Sequence, residues 1–238
     1  MKKKLALLSV LGCFTQLVWA ADISTLGSLA QPEFKLFSED LGAALSYKGV
    51  TPAEPLGITG FDIGLEVTGT EMTNSALWTK ATAGGSTVST LVVPKLRAFK
   101  GLPFGVDVGA FYSEVPTTNI KLYGGELRYA ILEGGVAVPA VAIRGSVSKM
   151  SGVNQLDFET KGVDVSISKG FAMFTPYAGV GAVWIDSTPN VAGLAKESFR
   201  QDKFFVGGNL NLGLMNLALE YDKTGESQSY SAKLGLRF

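Results

Sequence analysis

The fold is decided by a stretch that begins at Phe61 and reads F-D-I-G-L-E-V-T through Thr68. Its apolar residues occupy every second position, and the positions between them carry Asp, Gly, Glu and Thr. Successive side chains of a β-strand point to opposite faces, so this period of two predicts a strand with one apolar and one polar face. The stretch is too regular in this period to favour a helix.

The same alternation recurs from this stretch to the end of the chain. Most of the alternating segments are 10 to 14 residues long and are separated by Gly, Pro, Asn or Lys. That length is typical of a tilted membrane strand rather than of the shorter strands of globular proteins. We predict ten strands, at 57–69, 87–99, 104–115, 119–132, 136–148, 156–169, 171–186, 202–212, 217–223 and 229–238.

One face of these strands carries charges of both signs. Burying so many ions in the dry core of a β-sandwich would cost several kcal/mol for each ion. A closed barrel accommodates them in its interior, with the apolar face in lipid, so the predicted fold is an all-β, transmembrane antiparallel barrel. The predicted lumen-lining residues are Asp62, Glu66, Lys95, Arg97, Asp107, Glu126, Arg128, Arg144 and Glu220.

The last predicted strand supports a membrane barrel. Tyr230, Leu234, Leu236 and Phe238 share its apolar face, and the chain ends in the phenylalanine. This pattern resembles the assembly signal of bacterial outer-membrane barrels, which implies insertion by the barrel assembly machinery. An ordinary edge strand that ends in phenylalanine is the alternative.

The N-terminus has the features of a secretory signal peptide over residues 1–20. Three lysines precede a short apolar stretch, and small residues come before a predicted cleavage between Ala20 and Ala21. The apolar stretch is shorter than the ~20 residues that a membrane helix needs. The alternative is a lipoprotein signal with Cys13 as the lipidated residue.

Residues 21–56 precede the regular strands and form a separate region, so the predicted barrel domain covers 57–238. Residues 32–40 suit a short helix, with Pro32 in its first turn and Phe34 and Phe37 at helical spacing. Residues 41–50 alternate like a strand and would raise the count towards twelve. The helix plugs the barrel or braces its periplasmic mouth, or else it belongs to a frayed N-terminal arm.

A periplasmic C-terminus places the connections alternately on two sides of the membrane. The two longest, 70–86 and 187–201, then both fall outside the cell, as expected for such barrels. Trp78 in the first of them would contact a ligand or the lipid interface, and Trp184 and Tyr129 suit aromatic girdles.

The composition excludes several functions. The chain has 238 residues, no histidine and one cysteine, so Ser-His and Cys-His nucleophile pairs and imidazole metal ligands are impossible. Removing the three signal-peptide lysines leaves 18 basic and 21 acidic residues, a net charge of −3. This charge does not favour binding to nucleic acid, which needs a basic surface. Asp62 and Glu66 lie roughly 13 Å apart by strand rise, too far for a glycosidase pair. We expect no catalytic residue, metal or cofactor, and no enzyme activity.

These features together resemble a small single-chain bacterial outer-membrane β-barrel protein. Residues 38–48 (SEDLGAALSYK), 52–57 (PAEPLG) and 60–64 (GFDIG) are also similar to an uncharacterised family of proteobacterial outer-membrane proteins. The resemblance implies localisation in the outer membrane after secretion across the inner membrane. The lipid bilayer and lipopolysaccharide are the implied partners, and the oligomeric state stays open.

Two functions follow from the barrel. The first is a passive channel or uptake pore for small solutes, apolar ones included, whose selectivity is set by the charged lumen. A ten-strand barrel is narrow, because eight strands leave room only for side chains or one small ligand. The second is a structural or adhesive barrel, with a plugged lumen and outer loops that bind a partner.

Overall fold

The computed structural model describes residues 22–82 and 88–238 of the chain. The predicted signal peptide and its cleavage site at Ala20 and Ala21 lie outside the described residues. Ten strands make up most of the rest, and they are β1 Phe61–Glu71, β2 Thr90–Gly101, β3 Val106–Glu114, β4 Lys121–Glu133, β5 Ala140–Ser151, β6 Leu156–Ser168, β7 Phe174–Pro189, β8 Glu197–Leu212, β9 Met215–Thr224 and β10 Ser227–Arg237.

The ten strands close into a single antiparallel barrel. Every strand pairs with its neighbour in the sequence, and β1 pairs with β10 in a register that places Leu65 opposite Leu234. Closure leaves no strand edge exposed, which removes the usual site of edge-to-edge aggregation. The predicted all-β barrel is confirmed, and its strand count is ten rather than twelve.

The two ends of the barrel differ in their connections. At the end where β1 begins and β10 ends, which we call the turn end, the connections are 102–105, 134–139, 169–173 and 213–214. At the opposite end, the loop end, they are 72–89, 115–120, 152–155, 190–196 and 225–226. In outer-membrane barrels the short turns face the periplasm.

The N-terminal region lies inside the barrel. A 3-10 turn at Leu26–Ser28 is followed by helix α1, Gln31–Leu45, which has Pro32 in its first turn as predicted. No helix in the described parts of the chain is long and apolar enough to span a bilayer.

The prediction of a strand-like segment at 41–50 is wrong. Residues up to Leu45 continue helix α1, and residues 47–50 run without strand pairing through the lumen. The physical reason is closure of the barrel, because β1 already pairs with both β2 and β10 and leaves no partner for another strand. The apolar residues of this segment, such as Leu41 and Leu45, are buried in the core instead.

The long connections also depart from the prediction. The first contains a second helix, α2, at Ser75–Ala81, and its Trp78 is fully buried against Phe37 rather than directed to a ligand or to lipid. The second is only 190–196, because β7 and β8 continue pairing as far as Ser187 and Glu197. Within β7, Trp184 faces outward, and Val183 and Ile185 face the lumen.

Candidate functional site: the lumen and its plug

Residues 31–56 fill the lumen from the loop end to the turn end, and we call this segment the plug. Near the loop end, Asp40 accepts a hydrogen bond of 2.7 Å from the backbone N–H of Asn74. At mid-depth the Val50 N–H donates to Glu220 at 2.9 Å. Closer to the turn end, the Leu56 N–H donates to Asp107 at 3.0 Å. The plug therefore runs through the barrel from the loop end to the turn end.

The loop-end half of the lumen is apolar. The Phe37 and Trp78 rings lie 4.9 Å apart, within the range of favourable aromatic pairs. This packing is an ordinary hydrophobic core between α1, α2 and the barrel wall. Its other buried members include Phe34, Leu41, Leu45, Leu91, Val93, Leu122, Met150, Leu156, Phe158 and Ile185.

A few polar contacts fix α1 within this core. The Ser38 and Ser187 hydroxyls are 2.8 Å apart, and both residues are fully buried. The Gln201 amide donates to the Glu39 carbonyl at 3.2 Å. These contacts set the height and rotation of α1 in the lumen.

Residues 22–30 cap the loop end of the barrel. The Leu26 N–H donates to the Gln155 side chain at 2.9 Å, and the Ile23 N–H donates to Asn119 at 3.2 Å. Glu33 accepts from Lys80 of α2 at 2.5 Å and from the Ala30 N–H at 3.0 Å. The hydrogen bond from Lys80 lowers the pKa of the exposed Glu33 carboxyl. The cap places residue 22 at the opposite end of the barrel from Phe238.

The turn-end half of the lumen is ionic. All nine residues predicted to line the lumen are buried there: Asp62, Glu66, Lys95, Arg97, Asp107, Glu126, Arg128, Arg144 and Glu220. The charged residues Lys48, Asp164, Lys203, Asp222 and Lys233 are buried among them and were not on the predicted list. Four of these five lie at inward positions of alternating strands, which is a signal that the sequence carried. Lys48 lies on the plug, where the alternation gave a wrong interpretation.

Arg97 joins the wall to the plug. It pairs with Glu66 on β1, and its other terminal nitrogen donates to the Gly49 carbonyl at 2.6 Å and to the Tyr47 hydroxyl at 3.0 Å. Lys95 holds the other oxygen of Glu66 at 2.7 Å. The single carboxylate is thus balanced by two cations, one of which also satisfies the plug backbone.

Arg128 makes the equivalent contact nearer the turn end. It binds Asp107 at 2.6 Å and donates to the Thr51 hydroxyl at 3.0 Å and the Pro52 carbonyl at 2.5 Å. Asp107 in turn accepts from the Leu56 N–H. A buried ion pair is stable only when further hydrogen bonds satisfy its remaining atoms, and here the plug backbone supplies them.

The Arg144 side chain fills the lumen directly beside Gly49. It bonds Asp164 at 2.9 Å and Glu126 at 3.4 Å, and its guanidinium lies 5.6 Å from the centre of the Tyr47 ring. A Cβ at Gly49 would overlap that guanidinium. Only glycine therefore allows the plug to pass so close to Arg144.

The remaining ions hold the middle of the plug. Lys48 pairs with Asp222, and Lys203 donates to the Tyr47 carbonyl at 2.7 Å while lying 3.5 Å from Asp222. Val50 has a left-handed backbone, with φ of 47°, which a β-branched residue rarely adopts. The hydrogen bond from its N–H to Glu220 helps to hold that conformation.

Below the plug, a cavity of about 400 Å³ opens at the turn end. Its polar lining comes from Glu54, Ser168, Thr175 and Asn211, and the rest of its wall includes the 134–140 turn. No group of three or more acidic, Cys or His side chains suited to a metal ion occurs in the part of the chain that the structure describes.

Three of the predicted assembly-signal residues lie on the outer face of β10, and Phe238 directly follows that strand. Tyr230, Leu234, Leu236 and Phe238 are all exposed. Phe238 exchanges backbone hydrogen bonds with Phe61, and the two rings are 5.6 Å apart, so the last residue also closes the barrel seam.

Comparisons with known proteins give no family. No protein-family model matches the chain, and no curated protein matches it, so the similarity of residues 38–64 to a proteobacterial family stays a prediction.

Several solved structures are weakly similar to this chain. The N-terminal β-barrel domain of Pseudomonas aeruginosa OprF is 13% identical, covering 76% of this chain and 99% of its own, with a TM-score of 0.38. The outer membrane protein OprG of the same organism is 8% identical, covering 79% and 99%, with a TM-score of 0.34. Ail, the attachment invasion locus protein of Yersinia pestis, is 13% identical, covering 75% and 97%, with a TM-score of 0.32. At such values the fold rests on this chain's own strand pairing, which is that of a closed barrel of the small outer-membrane kind.

Proposed function

We propose that this protein is an outer-membrane barrel that its own N-terminal segment keeps closed, and that it acts through its loop-end surface. The proposal rests on one observation, namely which groups the charged side chains of the lumen bond to. Arg97, Arg128, Lys203, Asp107 and Glu220 all bond to backbone groups of the plug. The lumen is therefore complementary to the plug rather than to a passing solute.

The outer surface supports the membrane location. Large apolar side chains face outward along every strand, as at Leu65, Leu127 and Leu219, and the exterior of a soluble protein rarely exposes a patch of this size. We propose the lipid bilayer and lipopolysaccharide as partners and the barrel assembly machinery as the route of insertion. We propose no catalytic role for any residue.

Conductance in planar bilayers tests closure. We expect the full-length protein to pass no steady ion current, because the plug fills the lumen and ions such as Arg97 and Arg128 hold it there. A stable current from the unmodified protein would contradict the proposal.

The cap can be tested on intact cells. We expect Asp22→Cys to react with a membrane-impermeant maleimide from outside, whereas Glu54→Cys, in the cavity that opens at the turn end, reacts only after lysis. The reverse pattern would place the loop end in the periplasm and would exclude a role at the cell surface.

A gated uptake pore is the second candidate, and the cavity below the plug favours it. Glu54 of the plug lines this cavity, so withdrawal of residues 46–56 would join it to the ionic half of the lumen. Such a pore would be closed at rest and would conduct only after a partner or solute displaced this segment.

A further inference from the structure

The two ends of the barrel differ in what they expose. Each connection at the turn end, including the entry to β1, carries a bulky apolar residue with an exposed side chain. At the loop end, within the described residues, the large apolar side chains of the connections are buried, as at Trp78, Val115 and Val153, or partly buried, as at Leu77, Val191 and Leu194. We call the exposed set the turn-end rim, and it consists of Ile58, Phe104, Val136, Phe171 and Leu214.

On some strands the apolar outer face is too short to match a membrane without this rim, although on β7 it already runs from Phe174 to Trp184. A strand tilted by about 40° gains about 2.5 Å of height per residue, so the ~25 Å apolar band of such barrels needs about ten residues. On β6 the exposed apolar face runs only from Val163 to Ile167, below the outward Lys161, and spans about 10 Å by the same rise. Adding Phe171 in the following turn doubles that height.

Strand β3 has the same shortage. On β3, Val106 to Tyr112 spans about 15 Å, and Phe104 in the adjoining turn extends it to about 20 Å. Tyr112 and Trp184 mark the loop-end limit of the apolar outer face. Both face outward at the height where charged outward side chains begin. Aromatic residues of this kind sit at the boundary between hydrocarbon and headgroups.

Backbone groups of two rim turns are covered by lysine side chains. The Lys169 ammonium donates to the Gly135 and Val136 carbonyls at 2.7 Å each, and to Val138 at 3.2 Å. Lys100 likewise donates to the Ile58 carbonyl. In lipid, where water cannot satisfy backbone carbonyls, a turn needs such donors.

Phe104 is held outward at a conformational cost. Its φ is 65°, in the left-handed region that bulky residues avoid, and its side chain is 89% exposed. In water, this arrangement would combine backbone strain with an unburied aromatic ring. Contact with an apolar environment would compensate for both.

We propose that the turn-end rim contacts the acyl chains of the inner leaflet, so that the barrel ends flush with the lipid rather than projecting into the periplasm. This inference rests on the membrane location proposed above. Its occupant is lipid because the rim adjoins the apolar outer wall, as from Leu212 to Leu214. Lys169 lies between Ile167 and Phe171, but its ammonium is bonded to carbonyls of the 134–139 turn.

The position of the rim fixes the height of the other end. Beyond Trp184, β7 continues to Pro189, which adds about 12 Å by strand rise, and its outward residues there include Asp186. The β6–β7–β8 wall therefore stands clear of the outer leaflet and carries the loop-end cap away from the lipid.

Site-directed spin labelling of the full-length protein in phosphatidylcholine–phosphatidylglycerol vesicles tests this placement. The sequence has one cysteine, Cys13, in the predicted signal peptide, so a single introduced cysteine takes the label. The test variants are Phe104→Cys and Val136→Cys. Leu127→Cys on the middle of the wall is the lipid reference, and Glu226→Cys at the loop end is the water reference.

We expect both rim labels to be severalfold more accessible to oxygen relative to a nickel chelate than the Glu226 label, approaching the value at Leu127. Rim labels that match the Glu226 label, with the Leu127 label in lipid, would overturn the inference and leave the membrane location intact. A Leu127 label that also reports water would overturn the membrane location itself.

Discussion

The two halves of the lumen hold the same plug by different physics. In the loop-end half, α1 packs on apolar side chains such as Phe37 and Trp78, and the gain scales with buried area. In the turn-end half, residues 46–56 are held by directed contacts from ions such as Arg97 and Arg128. The apolar half therefore stabilises the bound plug, and the ionic half fixes which plug residue lies opposite which residue of the barrel wall.

The difference also predicts how each half fails. An apolar cavity left by a deleted side chain stays dry, so it lowers stability without opening a path for ions. An ionic site that loses a partner attracts water to the charge that remains. Substitutions in the two halves should thus differ in conductance even where they cost similar stability.

The largest effect is expected for Arg97→Met. The substitution removes one of two cations from the buried Glu66 and leaves the Gly49 carbonyl without its donor. Breaking a buried pair in this way costs about 3–5 kcal/mol. Urea unfolding in detergent micelles measures the loss, and bilayer recordings should show new, flickering currents.

Arg200→Met is the matched control, because that arginine is exposed at the loop end. We expect almost no change in its free energy of unfolding. If Arg97→Met behaved like Arg200→Met, the contacts between Arg97 and the plug would not contribute to holding it.

Phe37→Ala tests the apolar half. It removes a fully buried ring that packs at a tilt against Trp78, which should lower the free energy of unfolding by about 3 kcal/mol. Since the cavity stays dry, we expect no ion current from this variant. Currents equal to those of Arg97→Met would erase the distinction between the two halves.

Gly49→Ala probes the register of the plug with a single methyl group. The new Cβ would meet the Arg144 guanidinium and displace it, at a cost of about 2 kcal/mol. Gly145→Ala is the control, because no atom lies within 4 Å of a Cβ at that position. Equal melting temperatures for the two variants would show that the plug does not pass beside Arg144.

The smallest effect concerns the cap above the apolar half. The Lys80 hydrogen bond lowers the pKa of Glu33 from its usual 4.5, so the folded state favours the ionised carboxylate. That contribution is present above pH 4.5 and is lost as the pH falls through the lowered value. The pH dependence of unfolding should flatten slightly below pH 4.5 in Lys80→Met, and an unchanged profile would contradict the contact.

The barrel was predictable because its signal is local. Alternation in segments such as 61–68 and 230–238 fixes which residues face the lumen, and closure follows from an even number of long strands. Asp164 and Lys203 could have been placed by the same rule, since they occupy inward positions of predicted strands.

The plug was only partly predictable, because its surroundings come from distant parts of the chain. Residues 41–50 alternate like a strand, yet closure of β1 on β10 leaves them without a partner. Trp78 looked like a surface residue of a loop, but α1 supplies it with a buried contact. Neither outcome follows from local pattern, since both depend on what the lumen already contains.

The central claim is that the plug occupies the lumen, and a cross-link between α1 and β7 tests it most directly. The Ser38 and Ser187 hydroxyls lie 2.8 Å apart, so Ser38→Cys with Ser187→Cys should form a disulfide in the full-length protein, seen as a shift in gel mobility that reductant reverses. Ser38→Cys with Ser166→Cys, whose second position lies in the turn-end half, should not. A missing Ser38–Ser187 cross-link, or equal cross-linking in both pairs, would contradict a plugged barrel.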